Sequence, residues 1–344
     1  MEEQMAPPNE NGSERLHAGC LNTAGLIPDV LRVSSMRHWV ANDLRVGAAG
    51  RFPVLADMGL DVPVVEGSVA WWAPAEHVAR LAVAGVHLDL AAPGPRWLAD
   101  LDVSLTGRVV WAGRLADIAD APRSGWAKPA EAKVEALPAR WWDAIADFAE
   151  AAAAAGVSGD AWVQVCPTDL DIVEEHRCFV AYGHVVASSP YLLADGSTYE
   201  PGWEDREDLA TSAARTFATE VVAALGDNQP VAYTLDVARS ASGRFVVLEG
   251  NPAWCSGFYG AALDAVVDAV VASSWTPQVA SDVPVGERCT SRHGRFAWVP
   301  DAVLVQRAAR LPILAPFTPS WSRIDVAAAA ALRQASSTLA QPAL

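Results

Sequence analysis

Two stretches in the second half of this chain, Val231 to Arg239 and Arg244 to Asn251, read as strands joined through Ser240-Ala241-Ser242-Gly243. The acidic residues on them constrain the fold more than any other feature. Pairing Arg239 with Arg244 sets Asp236 opposite Val247 and Thr234 opposite Glu249. In that register Asp236 and Glu249 are diagonal neighbours on one face, roughly 5–8 Å apart at Cβ. Asn251 lies two residues beyond Glu249 and shares its face. A slip of one residue would put the two carboxylates on opposite faces. Like charges so close repel unless a cation sits among them. Magnesium suits such a cluster, because it takes hard oxygen ligands from one or two carboxylates and completes its shell with water and substrate phosphates. The plain alternative is a hairpin whose acidic residues face solvent.

The flanking pattern predicts more antiparallel pairing. Glu175 to Val180 and Val185 to Ser189 form a hairpin through Tyr182-Gly183-His184. Between the hairpins, Glu204 to Leu225 is a helix with Leu209, Ala213, Phe217, Val221 and Leu225 on one face, stopped at Gly226. Upstream, Arg140 to Ala155 reads as a helix with Trp141, Ile145, Phe148 and Ala152 on one face, and Ala161 to Cys166 as a strand running into Pro167-Thr168-Asp169. From Leu26 to Ala119 short apolar runs alternate with helical patterns, as in an α/β lobe, with strands at Val86 to Leu90 and at Arg108 to Arg114, the latter closed by Gly113. Ala262 to Ser273 is a further helix and Phe296 to Val299 is strand-like. Residues 1–18 read as a loose tail, and Ala327 to Leu344 as a helix fraying into another.

Three cations stand near this framework. Lys128 ends the strand Trp126-Ala127-Lys128-Pro129, Lys133 follows across a short loop, and Arg177 lies mid-strand. Each can meet a phosphate. For Arg177 the alternative is a structural pair with Glu175 on the same face; for Lys128 it is a solvated strand end. His176 and His184 read as structural or solvent-facing, and His293 has no assignable place.

Composition narrows the classes. Among 344 residues, 41 acidic side chains against 25 basic ones leave a formal charge of −16, which argues against a broad nucleic-acid surface. The five cysteines form no C-x-x-C pair, so neither a zinc site nor a disulfide framework is expected. Met1-Glu2-Glu3-Gln4 lacks the order of a signal peptide, and no apolar run reaches the length of a membrane span, so a cytoplasmic protein is expected. Oligomeric state stays open, with 14 tryptophans available for an apolar contact.

The order of these elements resembles the ATP-grasp superfamily. It is carried by Trp126-Ala127-Lys128-Pro129, then Val163-Gln164-Val165-Cys166, then Glu175-His176-Arg177-Cys178-Phe179-Val180, then Asp236 with Leu248-Glu249-Gly250-Asn251. The run Asn251 to Tyr259 is similar to the branch in which arginine and lysines frame the nucleotide and the substrates are poorly defined. The resemblance spans Lys128 to Tyr259 and is most specific at its C-terminal end; Gly250 replaces the usual apolar residue, and Pro129-Ala130-Glu131-Ala132-Lys133 has no glycine for a phosphate flap. It implies an α/β (α+β) fold of two antiparallel-sheet lobes preceded by an α/β lobe. The expected divisions are a tail (1–18), a pre-grasp lobe (19–120), the grasp domain (121–274) and a C-terminal extension (275–344). It implies an ATP- and Mg2+-dependent ligase that activates a carboxylate as an acylphosphate and passes it to an amine, on an amino acid, peptide or protein. In that scheme Asp236, Glu249 and Asn251 hold the metal, Lys128, Lys133 and Arg177 neutralise phosphate, Gln164, Val165 and Cys166 offer main-chain groups to adenine, and Ser256, Gly257 and Tyr259 border the acyl-acceptor side. A nucleotide-binding protein without ligase activity, and phosphotransfer to a hydroxyl, remain alternatives.

Overall fold

The computed structural model describes residues 28–34, 38–57, 68–83, 88–193, 196–198, 209–274 and 293–310. The two terminal tails, the strand start at Val86 and His87, and the first turn expected for the helix at Glu204 lie outside the described residues.

The N-terminal lobe is a three-stranded parallel sheet. Its strands are β1 (Val30–Ser34), β2 (Val54–Asp57) and β3 (Val69–Trp72), with β1 in the middle. All four residues of β3 are buried, as parallel strands covered on both faces require. Helices α1 (His38–Ala48) and α2 (Ala75–Val83) connect and flank these strands.

After the short helix α3 (Val103–Thr106) comes a four-stranded antiparallel sheet. It is built from β4 (Trp111–Arg114), β5 (Gly125–Pro129), β6 (Arg140–Trp142) and β7 (Trp162–Cys166), in the order β4-β7-β5-β6. Helix α4 (Ile145–Ala154) packs Ile145, Phe148 and Ala152 against Val163 and Val165. The helix is shorter than its sequence pattern predicts. Residues 140–142 alternate instead with period two, Trp141 exposed opposite Trp126 and Trp142 buried in the core, so they form the edge strand β6. Gly113 lies inside β4 and does not close it; the Trp111 ring covers it.

A second four-stranded antiparallel sheet follows, in the order β11-β10-β8-β9. Strands β8 (Ile172–Ala181) and β9 (His184–Leu192) are joined by Tyr182 and Gly183, both at positive φ (52° and 75°), as a two-residue hairpin turn requires. Helix α5 (Leu209–Leu225) leads to β10 (Ala232–Ser240) and β11 (Phe245–Asn251). One face of this sheet packs Val180, Leu235 and Val237 on α5. The other packs Phe179 and Ala181 on α6 (Leu263–Ser274), which also meets α1 of the N-terminal lobe. Helix α7 (Ala302–Arg310) lies against α2. Phe296 ends a single 3-10 turn, and Ala297 makes only an isolated bridge to Ala91, so the strand expected there is not extended. Cys166, Cys178 and Cys255 are free thiols, and no described helix is long and apolar enough to cross a membrane.

The α1–α6 contact depends on Gly47. A Cβ there would lie 2.2 Å from the Leu263 carbonyl oxygen and 2.9 Å from Val267 Cγ2. Alanine would gain about 1 kcal/mol of helix propensity, but overpacking a rigid backbone contact costs about 1–3 kcal/mol. Gly47→Ala is therefore expected to lower unfolding free energy by about 1–2 kcal/mol, read as a fall in the urea midpoint at unchanged slope.

Candidate active site

The acidic hairpin forms, in a register the turn alone does not predict. Pairing begins with Arg239 opposite Phe245, one residue displaced from the expected partner, and continues to Val237 opposite Val247. Carried on unchanged, that register would separate Asp236 and Glu249 onto opposite faces. A bulge at Leu248 removes the error. Beyond it Asp236 lies directly opposite Glu249, and Thr234 opposite Asn251. The buried Arg108 secures the bulge by donating to the carbonyls of Val247 (2.9 Å) and Leu248 (3.0 Å). Sequence reading placed Arg108 only as the start of a strand; its partners lie about 140 positions away, and no local signal marks it.

Asp236 has a second cross-strand neighbour, Arg177 on β8. Arg177 Nε donates to Asp236 Oδ1 at 2.8 Å and Nη2 to Oδ2 at 2.7 Å, a bidentate pair. Its partner is thus Asp236 and not Glu175. The third guanidinium nitrogen reaches the Gly257 carbonyl at 3.3 Å. The stacked rings of Tyr191 and Tyr259 flank the guanidinium, with centroids 5.7 and 5.3 Å from it. Asn251 Nδ2 donates to Glu249 Oε1 (2.8 Å) and Asp236 Oδ2 (3.2 Å). Lys128 reaches across from β5 of the other antiparallel sheet to pair with Glu249 Oε2. The result is an unbroken chain, Lys128–Glu249–Asn251–Asp236–Arg177, of two cations, two carboxylates and one amide.

Electrostatics differ along it. Burial pushes the Asp236 carboxyl up to about 6; Arg177 pulls it down, and Glu249 adds to the rise. Burial would also raise Glu249, but the Lys128 charge and hydrogen bond, the Asn251 amide and Arg177 outweigh it and hold that carboxyl well below the usual carboxylate range. Both are ionised at neutral pH. Glu175, half-buried on the Arg177 face, is raised by burial.

The remaining expected residues divide. Gln164 lies opposite Lys128 on β7 and donates through Nε2 to the Pro95 carbonyl at 2.9 Å. Val165 is buried in the core beneath the sheet. The main chain of Gln164 and Val165 pairs with β4 on one side and β5 on the other, so it has none to spare for a base. No pairing to β4 extends to Cys166, where the strand leads into the connection to β8. Lys133 is exposed, and its ammonium makes no hydrogen bond among the described residues; only its carbonyl is engaged, by Arg307 at 2.8 Å. Ser256 bonds Thr234 Oγ1 at 3.0 Å, and Tyr259 holds a positive φ of 52°. Sequence reading passed over Trp126, which shares the Lys128 face two residues away and presents an exposed ring.

The donor set fits magnesium. Asp236, Glu249 and the Asn251 side-chain oxygen are hard ligands on adjacent strands. Among the described residues no group of three or more His, Cys, Asp or Glu forms a closed cage. Two carboxylates with room for phosphate oxygens are the pattern for that ion.

Lys128→Met tests the link between the sheets. Glu249's depressed pKa contributes stability above the unfolded value of about 4.5, which is lost as pH falls through the folded value. The variant is expected to be about 1–3 kcal/mol less stable than wild type near neutrality. Urea melts at descending pH should show that gap closing below pH 4.5.

Residues 105–269 match the family model of an ATP-grasp domain, family 2 of the clade named for its one arginine and two lysines. Among solved structures, D-cycloserine synthetase DcsG aligns at 18% identity and a TM-score of 0.46, covering 70% of this chain and 98% of that one. ATP-grasp ligase PsnB complexed with minimal precursor aligns at 13% and 0.38 (72% and 99% covered). The L-amino acid ligase from Bacillus licheniformis aligns at 15% and 0.37 (65% and 66% covered). No curated protein sequence matches significantly. The family match encloses Lys128, Arg177, Asp236, Glu249 and Asn251, and with it the chain belongs to the ATP-grasp superfamily.

Proposed function

We propose that this protein is an ATP- and magnesium-dependent ligase that activates a carboxylate and joins it to an amine. The observation that carries this reading is the charge-balanced chain from Lys128 to Arg177 across the two antiparallel sheets. Ligation of this kind needs positioning and charge neutralisation more than a protein nucleophile. Lys128 and Arg177 supply positive charge to phosphate oxygens, while Asp236, Glu249 and Asn251 supply oxygen ligands on the neighbouring strands. Magnesium, when bound there, would bridge and neutralise phosphate oxygens. Trp126 and the chain from Cys166 onward offer a flat surface and free main chain for the base.

A substrate carboxylate oxygen attacks the γ-phosphorus and ADP leaves, giving an acylphosphate. The amine nitrogen then attacks the acyl carbon, inorganic phosphate departs, and the amine loses a proton. Ser256, Gly257 and Tyr259, beside Arg177, border the space for that second step. An amino acid, a peptide or a protein could provide either group. The position of Lys133, exposed on a loop without glycine, favours a second reading, in which nucleotide is bound and not consumed.

Calorimetric titration with ATP and magnesium decides first. Wild type is expected to bind in a magnesium-dependent way that EDTA abolishes, and a folded Glu249→Ala variant at least about tenfold more weakly. No binding at millimolar ATP would end the enzyme reading. Screening carboxylates and amines for ADP release then separates the two readings: binding with no substrate-dependent ADP release supports the second.

A further inference from the structure

A cavity of about 430 Å3 lies outside the nucleotide cluster. Its walls come largely from segments 92–101 and 295–302, both outside the family match, with Arg114, Glu131 and Trp162 contributed by the first antiparallel sheet and its loop. The volume suits a small ligand. Trp97, Trp162 and Trp298 give it an aromatic lining.

Nearly every charge in the wall is already engaged. Arg96 donates to Asp100 (3.1 Å) and to the Ala112 carbonyl (3.2 Å). Arg114 donates to the Asp160 carbonyl and lies 4.3 Å from the Trp162 ring. Arg295 donates to Asn228 Oδ1 and lies 4.7 Å from the Phe296 ring. Asp301 caps α7, accepting from the main-chain N–H of Val303 (2.8 Å) and also of Trp162 (2.9 Å). Glu131 is the exception: among the described residues its carboxyl has no hydrogen bond and no ion pair. A carboxyl without a partner in an aromatic-lined hollow is costly to the fold and suited to a cation, which it can pair while the rings contact the rest of the molecule.

We propose that this cavity is a second ligand site, for a primary ammonium group carried on a flat apolar body, with the Glu131 carboxylate as the ammonium's partner. The site stands on its own geometry and does not rest on the ligase reading. Burial pushes the Glu131 carboxyl up to about 8, with Asp301 adding to the rise and Arg114 opposing it; the Cys255 thiol is its other titratable neighbour. At neutral pH the free protein therefore holds Glu131 protonated, and an arriving ammonium displaces that proton.

The test uses the whole chain without nucleotide, titrated with 2-phenylethylamine and with its uncharged analogue 2-phenylethanol. At about pH 8.5 the amine should bind at least about tenfold more tightly than the alcohol. At neutral pH its binding should release a proton, seen as a heat that varies with the buffer's ionisation enthalpy. Glu131→Gln should abolish both the preference and the proton release. It should still fold: a carboxyl whose folded pKa is raised contributes stability below its unfolded pKa of 4.5 that is lost as pH rises through about 8. The variant's Tm should therefore equal or exceed wild type at pH 8, with the difference growing from pH 5 upward. Equal binding of amine and alcohol, no binding of either, or a preference that survives in Glu131→Gln would each overturn the proposal.

Discussion

Two carboxylates placed directly opposite each other on neighbouring strands are the condition that the rest of this structure answers. At the Cβ spacing of a cross-strand pair, about 5 Å, and an effective dielectric of about 20, their repulsion is on the order of 3 kcal/mol. Burial makes it worse for Asp236, which is wholly inaccessible. Two cations offset it, and they come from different places. Arg177 is the next residue along the same row of the sheet, so its bidentate pair with Asp236 is internal to one lobe. Lys128 belongs to the other antiparallel sheet, so its pair with Glu249 joins the two. The seam between the lobes is therefore electrostatic at the point where a nucleotide would enter.

That arrangement bears on how ligands are accommodated. A charge in the chain gives up one partner only to meet another of the same sign: carboxylates exchange ammonium and guanidinium for a metal ion, and cations exchange carboxylates for phosphates. The field is already organised before the ligand comes, and little reorientation is left to be done during reaction. Tyr191 and Tyr259 reinforce this at Arg177, where two rings and a main-chain carbonyl fix the guanidinium while one edge is bonded to Asp236.

Both hairpins, the helices on either side of their sheet, and the pairing of Asp236 with Glu249 on one face were legible, because strand alternation and turn residues are local signals. The register was not. The turn closes one residue later than its sequence suggests, and the compensating bulge falls at Leu248, a residue with no turn chemistry to announce it. What holds the bulge is Arg108, distant in sequence and visible only after folding. Arg140 to Trp142 misled for the opposite reason: adjoining tryptophans satisfy a helical stripe as well as a strand, and the cross-strand contact between Trp141 and Trp126 decided between them. Lys128 was ambiguous as a lone lysine at a strand end; its meaning lies in Glu249, which the sequence places 121 positions later.

Gly250 connects the two sites. Between Glu249 and Asn251 a larger apolar side chain would be ordinary in a strand, but a Cβ at Gly250 would come within 2.8 Å of the Trp97 ring and 3.1 Å of Pro93. The glycine is there because the indole fills the side chain's place. Trp97 also lines the cavity that contains Glu131, and it packs edge-on against Tyr233 with ring centroids 5.6 Å apart. One tryptophan thus serves as the wall of the cavity and the packing surface of the metal hairpin. Interiors this closely packed transmit displacement and do not absorb it. A molecule that shifted Trp97 would act on the strand between Glu249 and Asn251, where the absence of a side chain leaves the backbone itself in contact with the ring.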